Sequence, residues 1–182
     1  LYHCTSPTEF RYLGGTIDDA AGEAFDKIAA MLGLPYPGGP SVSAAAVAGN
    51  EKKHAFPRPF LGDRKRLAFS FSGLKTAVRY AIAGTGKVDF RSLQLTEQQI
   101  ADVAASFQAA VVDCLIGKAM LAVEQNNLAR LCVGGGVAAN ATFRERLKAT
   151  CQQNGTELHI APFQLCTDNA IMGGLAIEHL KA

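Results

Sequence analysis

Leu131-Cys132-Val133-Gly134-Gly135-Gly136-Val137-Ala138-Ala139-Asn140, followed by Ala141-Thr142-Phe143-Arg144-Glu145-Arg146-Leu147, gives the plainest structural instruction in the chain. It reads as a buried strand, a triple-glycine turn and an amphipathic helix, and open α/β sheets carry their ligand loops at such strand-to-helix joints. Glycine has no Cβ to hold a flat or charged ligand away from the backbone, and Asn140 offers one acceptor and two donors suited to a base or ribose. The stretch points to a nucleotide edge. It does not make a G-x-G-x-x-G fingerprint and has no Lys-Ser/Thr for a P-loop, so a plain glycine turn between strand and helix stays open beside the ligand reading.

The same alternation of strand and helix continues on both sides. Before it, Thr96 and Gln99 have capping-box spacing and open a long helix to about Gln125, with Ile100, Val103, Ala104, Phe107, Val111, Cys114 and Leu115 as its buried stripe. After it, Asn154-Gly155 closes the helix, Glu157 to Ala161 reads as another strand, and Leu165 to Ala170 opens a final helix with Asp168 near its start. Leu67 to Phe71 alternates apolar and small residues as a half-buried strand does, and Ser72-Gly73 turns it into a helix from Leu74 to Ala83. From Leu67 onward this is the pattern of an α/β fold.

The first part of the chain is more irregular. Leu1 to Cys4 and Glu9 to Leu13 read as a hairpin, broken by Gly14-Gly15. Thr16 to Leu32 reads as an amphipathic helix capped by Thr16 or Asp18, with Asp19, Glu23 and Asp26 on a solvated acidic face. Pro35-Tyr36-Pro37-Gly38-Gly39-Pro40 reads as a stiff turn whose two glycines can take positive φ and expose backbone N–H groups, with a plain linker as the other reading. Ser41 to Ala48 suits a short helix, and Gly49 to His54 an exposed loop. Phe56-Pro57-Arg58-Pro59-Phe60 must be extended, because each proline pushes its predecessor out of the helical region. Leu61 to Arg66 is a basic loop.

The 182 residues, 48% of them hydrophobic, suffice for a sizeable core. With 18 Lys and Arg against 16 Asp and Glu, the formal charge of +2 is too small for a general nucleic-acid footprint, so an RNA contact needs a local patch or a partner. Five scattered cysteines, odd in number and mostly in apolar runs, suit reduced thiols in a cytoplasmic core. No apolar run reads as long enough for a membrane span, and no basic start precedes an apolar signal segment. The chain begins at Leu1, without methionine and inside what reads as a strand, so a piece of a longer protein is expected.

Six blocks carry a resemblance: Gly14-x-Thr16-Ile17-Asp18-Asp19-Ala20-Ala21-Gly22-Glu23-Ala24-Phe25-Asp26-Lys27, Leu34-Pro35-Tyr36-Pro37-Gly38-Gly39-Pro40, Phe56-Pro57-Arg58-Pro59, Phe69-Ser70-Phe71-Ser72-Gly73-Leu74-Lys75-Thr76, Gly135-Gly136-Val137-Ala138-Ala139-Asn140 and Cys166-Thr167-Asp168-Asn169. In this order they resemble the tRNA N6-adenosine threonylcarbamoyltransferase family, long labelled O-sialoglycoprotein endopeptidase or glycoprotease, over about its C-terminal half. The resemblance implies an actin/Hsp70/sugar-kinase-like fold in which two α/β lobes enclose a nucleotide. Residues 1–66 would then be the end of the first lobe with connecting helices, and residues 67–182 the second α/β lobe. It implies transfer of threonylcarbamoyl from threonylcarbamoyl-AMP to N6 of adenosine 37 in tRNAs reading codons that begin with A, with partner proteins of the same pathway. Carried over by position, Asp26, Gly39 and Asn140 bind the adenylate, and Asp168 supplies one ligand to a divalent metal ion, iron by the same resemblance. No catalytic residue is assigned.

Two departures qualify the match. Gly15 stands where members of the family often have a charged residue, commonly Glu. The family's H-x-x-x-H metal pair and Ser-Gly-Gly phosphate loop fall upstream of Leu1, and His3, His54, His159 and His179 have no spacing that rebuilds a site with Asp168. The chain by itself is therefore expected to hold metal poorly and to modify no tRNA. A non-catalytic scaffold of the same fold is the alternative reading. A peptidase ranks below both, since no H-E-x-x-H or Ser/Cys-His arrangement is present.

Overall fold

The computed structural model describes residues 1–6, 8–86, 90 and 93–166. In chain order its elements are β1 (Tyr2–Ser6), β2 (Glu9–Tyr12), α1 (Ala21–Met31), α2 (Gly38–Ala46), α3 (Ser72–Ala83), α4 (Glu97–Gln125), β3 (Arg130–Val133), α5 (Ala141–Gln153) and β4 (Glu157–Ile160), with a 3-10 turn at Gly136–Ala139. β1 and β2 form the antiparallel hairpin expected from the sequence, Tyr2 facing Tyr12. β3 and β4 pair in parallel, Arg130 opposite Glu157 through Val133 opposite Ile160, joined by α5 as a βαβ unit. The class is α/β.

α4 is the framework. Thr96 caps it as the sequence predicts, its hydroxyl accepting from Gln99 N while the Gln99 side chain accepts from Thr96 N. The predicted single buried stripe is too narrow a description, because every residue from Ala101 to Val112 is buried, α2 and α5 pack on the helix, and residues 48–66 run along it. The register of that strap is regular: Asn50 N donates to Asp102 Oδ1 (2.8 Å), His54 N to Ser106 Oγ (3.2 Å), Arg58 Nε to Asp113 Oδ2 (3.1 Å), and Lys118 Nζ to Asp63 O (2.6 Å). Asp102, Ser106 and Lys118, buried polar residues of α4, thus have partners, as desolvated groups require. Phe56 to Pro59 is non-helical, as the prolines dictate, and Gly49 to His54 is the expected loop, with no buried residue, tied to α4 through the N–H groups of Asn50 and His54.

By length and composition α4 does pass as a membrane-spanning helix, contrary to the sequence expectation that no run comes near. Its apolar character has a different cause, since 78% of its most apolar stretch is buried inside the molecule. Phe107, wholly buried, meets Phe25 of α1 edge-on with ring centroids 5.1 Å apart. The core continues through Ile28, Val42, Phe69, Phe71, Leu74 and Val78. A smaller cluster of Val112, Ile116, Phe143, Leu147 and Cys151 seats α5 and the β3–β4 pair.

Several local expectations are corrected. α1 starts at Ala21 with no side-chain cap, because the residues before it are engaged elsewhere. Ile17 N donates to Phe69 O (3.0 Å), Phe69 N donates to Gly15 O (2.9 Å), and Asp18 reaches across to α3. Among the described residues that exchange is all the ladder that Leu67 to Phe71 forms: a single parallel bridge, Thr16 to Phe69, stands in place of the predicted strand. Gly38 and Gly39 are the first turn of α2 and do not take positive φ. β3 is buried on one face only, Leu131 and Val133 packing toward α5 while Arg130 and Cys132 are exposed. All five cysteines are free thiols, and burial followed by the Asp113 charge pushes Cys114 up to about 11.

Candidate functional site

Asp26, Gly39 and Asn140 lie on three different elements, and one run of hydrogen bonds joins them. Asp26 projects from the penultimate turn of α1 and its Oδ1 accepts from Gly38 N at 2.8 Å. The carboxylate therefore caps α2 from the neighbouring helix, at the positive end of that helix's dipole. Gly38 is buried against α1: a Cβ there would stand 2.5 Å from the Asp26 Cα. Gly39, one residue on, faces open space, and its N–H has no acceptor among the described residues.

From the first turn of α2 the connection runs to Asn140. Ser43 Oγ donates to Gly39 O (2.8 Å) and accepts from Asn140 Nδ2 (2.8 Å). The second Nδ2 hydrogen goes to Gln108 Oε1 of α4 (2.7 Å), whose Nε2 donates to Thr142 Oγ1 (3.1 Å). Asn140 Oδ1 accepts from Phe143 N (2.8 Å), so Asn140 is also the N-cap of α5. Both donors that the sequence reading offered to a base or ribose are thus engaged within the protein. What remains is one lone pair on Oδ1, with Asp26 Oδ2 as a second acceptor that has no partner among the described residues.

The triple-glycine turn adjoins this run. Gly135 sits at φ +91°, a conformation that favours glycine, and a Cβ on any of the three would meet nothing within 4 Å. None of the N–H groups of Gly134, Gly135 and Gly136 finds a backbone acceptor among the described residues. The 3-10 turn that follows packs Val137 against the main core. Arg144 fixes the far side, donating to Ala138 O, Ala161 O and Cys166 Sγ. An open groove of about 850 Å³ lies between α5 and β4, lined by Arg144, Lys148, Cys151, Leu158 and Ile160 among others, but by none of the three predicted residues.

The acidic face read as solvated is partly internal. Asp19 and Glu23 each lie 2.7 Å from Lys27 Nζ, and hydrogen bonds to Asp19 and Glu23 raise the Lys27 pKa. Asp168 lies outside the described residues, and among those described no three His, Cys, Asp or Glu side chains gather as a metal site. Ser43 and Gln108 are the participants that sequence reasoning missed. A glutamine inside the apolar run Phe107 to Val112 was the available signal for one of them.

A family model described as tRNA N6-adenosine threonylcarbamoyltransferase matches residues 1–175. The chain belongs to this family. Among the relatives that carry that name, one from Rhodopirellula baltica is 53% identical over 191 aligned positions, which cover 100% of this chain and 53% of the relative. One from Rhizobium meliloti is 50% identical, covering 90% of this chain and 45% of its own, and one from Bartonella henselae is 49% identical, covering 90% and 46%. The chain spans about half the length of the curated relatives it matches, which in this family are threonylcarbamoyltransferases acting on tRNA adenosine by name.

Proposed function

We propose that this chain forms part of a transferase that moves threonylcarbamoyl from threonylcarbamoyl-AMP to N6 of adenosine 37 in tRNAs reading codons that begin with A. The observation that carries the reading is the hydrogen-bonded run from Asp26 through Gly38, Gly39 and Ser43 to Asn140, in a chain of this family. Residues far apart in sequence, which the family resemblance assigns to one adenylate, meet at one place. We take the chain to be lobe-forming sequence of an actin/Hsp70/sugar-kinase-like fold, divided at 66/67, acting in the cytoplasm with partner proteins.

The chain's own groups bind and orient. Asp26 Oδ2 is an acceptor for a ribose hydroxyl, and Asn140 Oδ1 for a second donor on the nucleoside. The open N–H groups of Gly39 and of the triple-glycine turn accept close approach of a flat ring or an anionic oxygen, and such preorganised donors stabilise charge developing on a reacting group. Holding the adenylate in register with the tRNA amine lowers the entropic part of the barrier. Asp168 is assigned one metal ligand by resemblance. The described residues offer no ligand set to join it.

The test uses the complete protein with its tRNA and partner proteins. Asp26→Ala and Asn140→Ala should each weaken adenylate binding by about 0.5–3 kcal/mol in calorimetry, the range for a lost hydrogen bond to a polar or charged group. Asn140→Ala should also lower the melting temperature, since it removes the α5 cap, at about 0.5–2 kcal/mol. Unchanged affinity in both folded variants would refute the site.

A further inference from the structure

Gln108 is the exception on its stretch of α4. Phe107, Ala109, Ala110, Val111 and Val112 are buried and apolar, yet Gln108 is only 6% exposed itself. An amide removed from water without partners is strongly disfavoured, so the place where its bonds go indicates its role. Both go to the joint between the glycine turn and α5: to Asn140 Nδ2 and to Thr142 Oγ1.

One backbone donor orients the whole cluster. Phe143 N–H can only donate, so the Asn140 atom facing it is the oxygen. The Asn140 NH2 group is then turned toward Ser43 and Gln108, Gln108 must present its carbonyl, and its own NH2 is left for Thr142. Neither amide can flip without leaving a donor facing a donor.

We propose that Gln108, assisted by Ser43, is a positioning residue for the ligand contact of Asn140. It holds both N–H donors of Asn140 into the protein, so that Asn140 meets the ligand only as an acceptor and selects a hydroxyl or amine group. The inference rests on the nucleotide-site reading above and assigns a role to a residue that reading does not include. Gln108 acts through Asn140.

The experiment compares Gln108→Leu, Gln108→Glu, Ser43→Ala and Asn140→Ala in the complete protein, with threonylcarbamoyl adenylate, tRNA and partner proteins, reading KM, kcat and melting temperature. Loss of one hydrogen bond in a binding network corresponds to about a tenfold change, so Gln108→Leu should raise KM for the adenylate about tenfold with a much smaller change in kcat. Gln108→Glu keeps an oxygen toward Asn140 and should restore KM close to that of the parent. A merely structural role would tie any rise in KM to a matching fall in melting temperature. Unchanged KM in folded Gln108→Leu, with KM raised in Asn140→Ala, overturns the positioning role while sparing the site. So does a Gln108→Glu variant as impaired as Gln108→Leu. Unchanged KM in folded Asn140→Ala removes the Asn140 contact and this inference with it, while the rest of the nucleotide-site reading falls only if Asp26→Ala is unchanged too. If Gln108→Leu does not fold, Ser43→Ala decides: it removes the other acceptor of Asn140, and a raised KM supports the proposal where an unchanged one overturns it.

Discussion

Gly38 shows how closely α1 and α2 approach. Its ideal Cβ would lie 2.5 Å from the Asp26 Cα and 2.6 Å from the Phe25 carbonyl oxygen, both backbone atoms that cannot swing aside. Gly38→Ala should therefore destabilise the protein by about 1–3 kcal/mol, the usual cost of overpacking, and loosen the Asp26 to Gly38 hydrogen bond along with it. Denaturant titration and nucleotide binding would check the two effects together. Gly39→Ala faces open space and should leave stability nearly unchanged. Both glycines were visible in the sequence as a pair. Which one is required by packing was not, because the obstruction comes from Asp26, twelve residues earlier. Asn140 was legible as a polar residue after a glycine turn, but its partners Ser43 and Gln108 lie 97 and 32 residues away and no local pattern joins them.

α4 and α5 carry their own caps, Thr96 and Asn140, but α2 and α3 are capped by side chains from other segments. Asp26 of α1 caps α2, and Asp18, expected from the sequence to cap α1, caps α3 instead: its Oδ1 accepts from Phe71 N (2.8 Å) and Ser72 N (3.3 Å), and its Oδ2 from Ser70 Oγ (2.5 Å). The stretch Asp18 to Asp26 thereby organises two helices that follow it. Sequence rules look for the cap at the residue beside the helix, so the start of α4 agrees with its predicted Thr96 cap, whereas α1, α2 and α3 start elsewhere than the sequence predicts. The electrostatics give a pH test. Desolvation, the largest single influence on Asp18, raises its pKa, but the bonds from Ser70, Phe71, Ser72 and the Asp19 backbone together outweigh it and hold the carboxyl below its ordinary 3.8. A lowered folded pKa means that the stabilisation is complete above the unfolded value and is lost as pH falls through the folded one. The melting-temperature gap between the parent and Asp18→Ala should accordingly be constant near neutral pH and narrow only below 3.8. A gap that instead narrows between neutral pH and the ordinary carboxylate range would show that Asp18 is not held in this cap.

At the scale of the whole molecule, α4 decides what the rest can do. Its capping box and its apolar length were readable in order along the chain, and so were the β3–α5–β4 unit and the hairpin, because each depends on neighbours a few residues apart. Its burial on several faces was not readable, since the polar, proline-broken strap of residues 48–66 gives no periodic signal and its register against α4 is set by contacts about 50 to 60 residues apart in sequence. The same helix carries Gln108 on the site side and Phe107 on the core side, so packing and ligand geometry are set by adjacent residues. Phe107→Ala empties the contact with Phe25 at the centre of the main cluster, where both rings are at most 2% exposed. The expected loss is about 3–5 kcal/mol, a large part of the 5–15 kcal/mol that holds a typical domain together. Because α1 and α2 rest on that contact and Asp26 and Gly39 rest on α1 and α2, nucleotide affinity should fall in step with stability. Phe107→Leu, which refills part of the volume, should recover both in proportion. Calorimetric unfolding and nucleotide titration of the two variants make the comparison, and affinity retained in a strongly destabilised Phe107→Ala protein would separate the site from the core on which it is placed here.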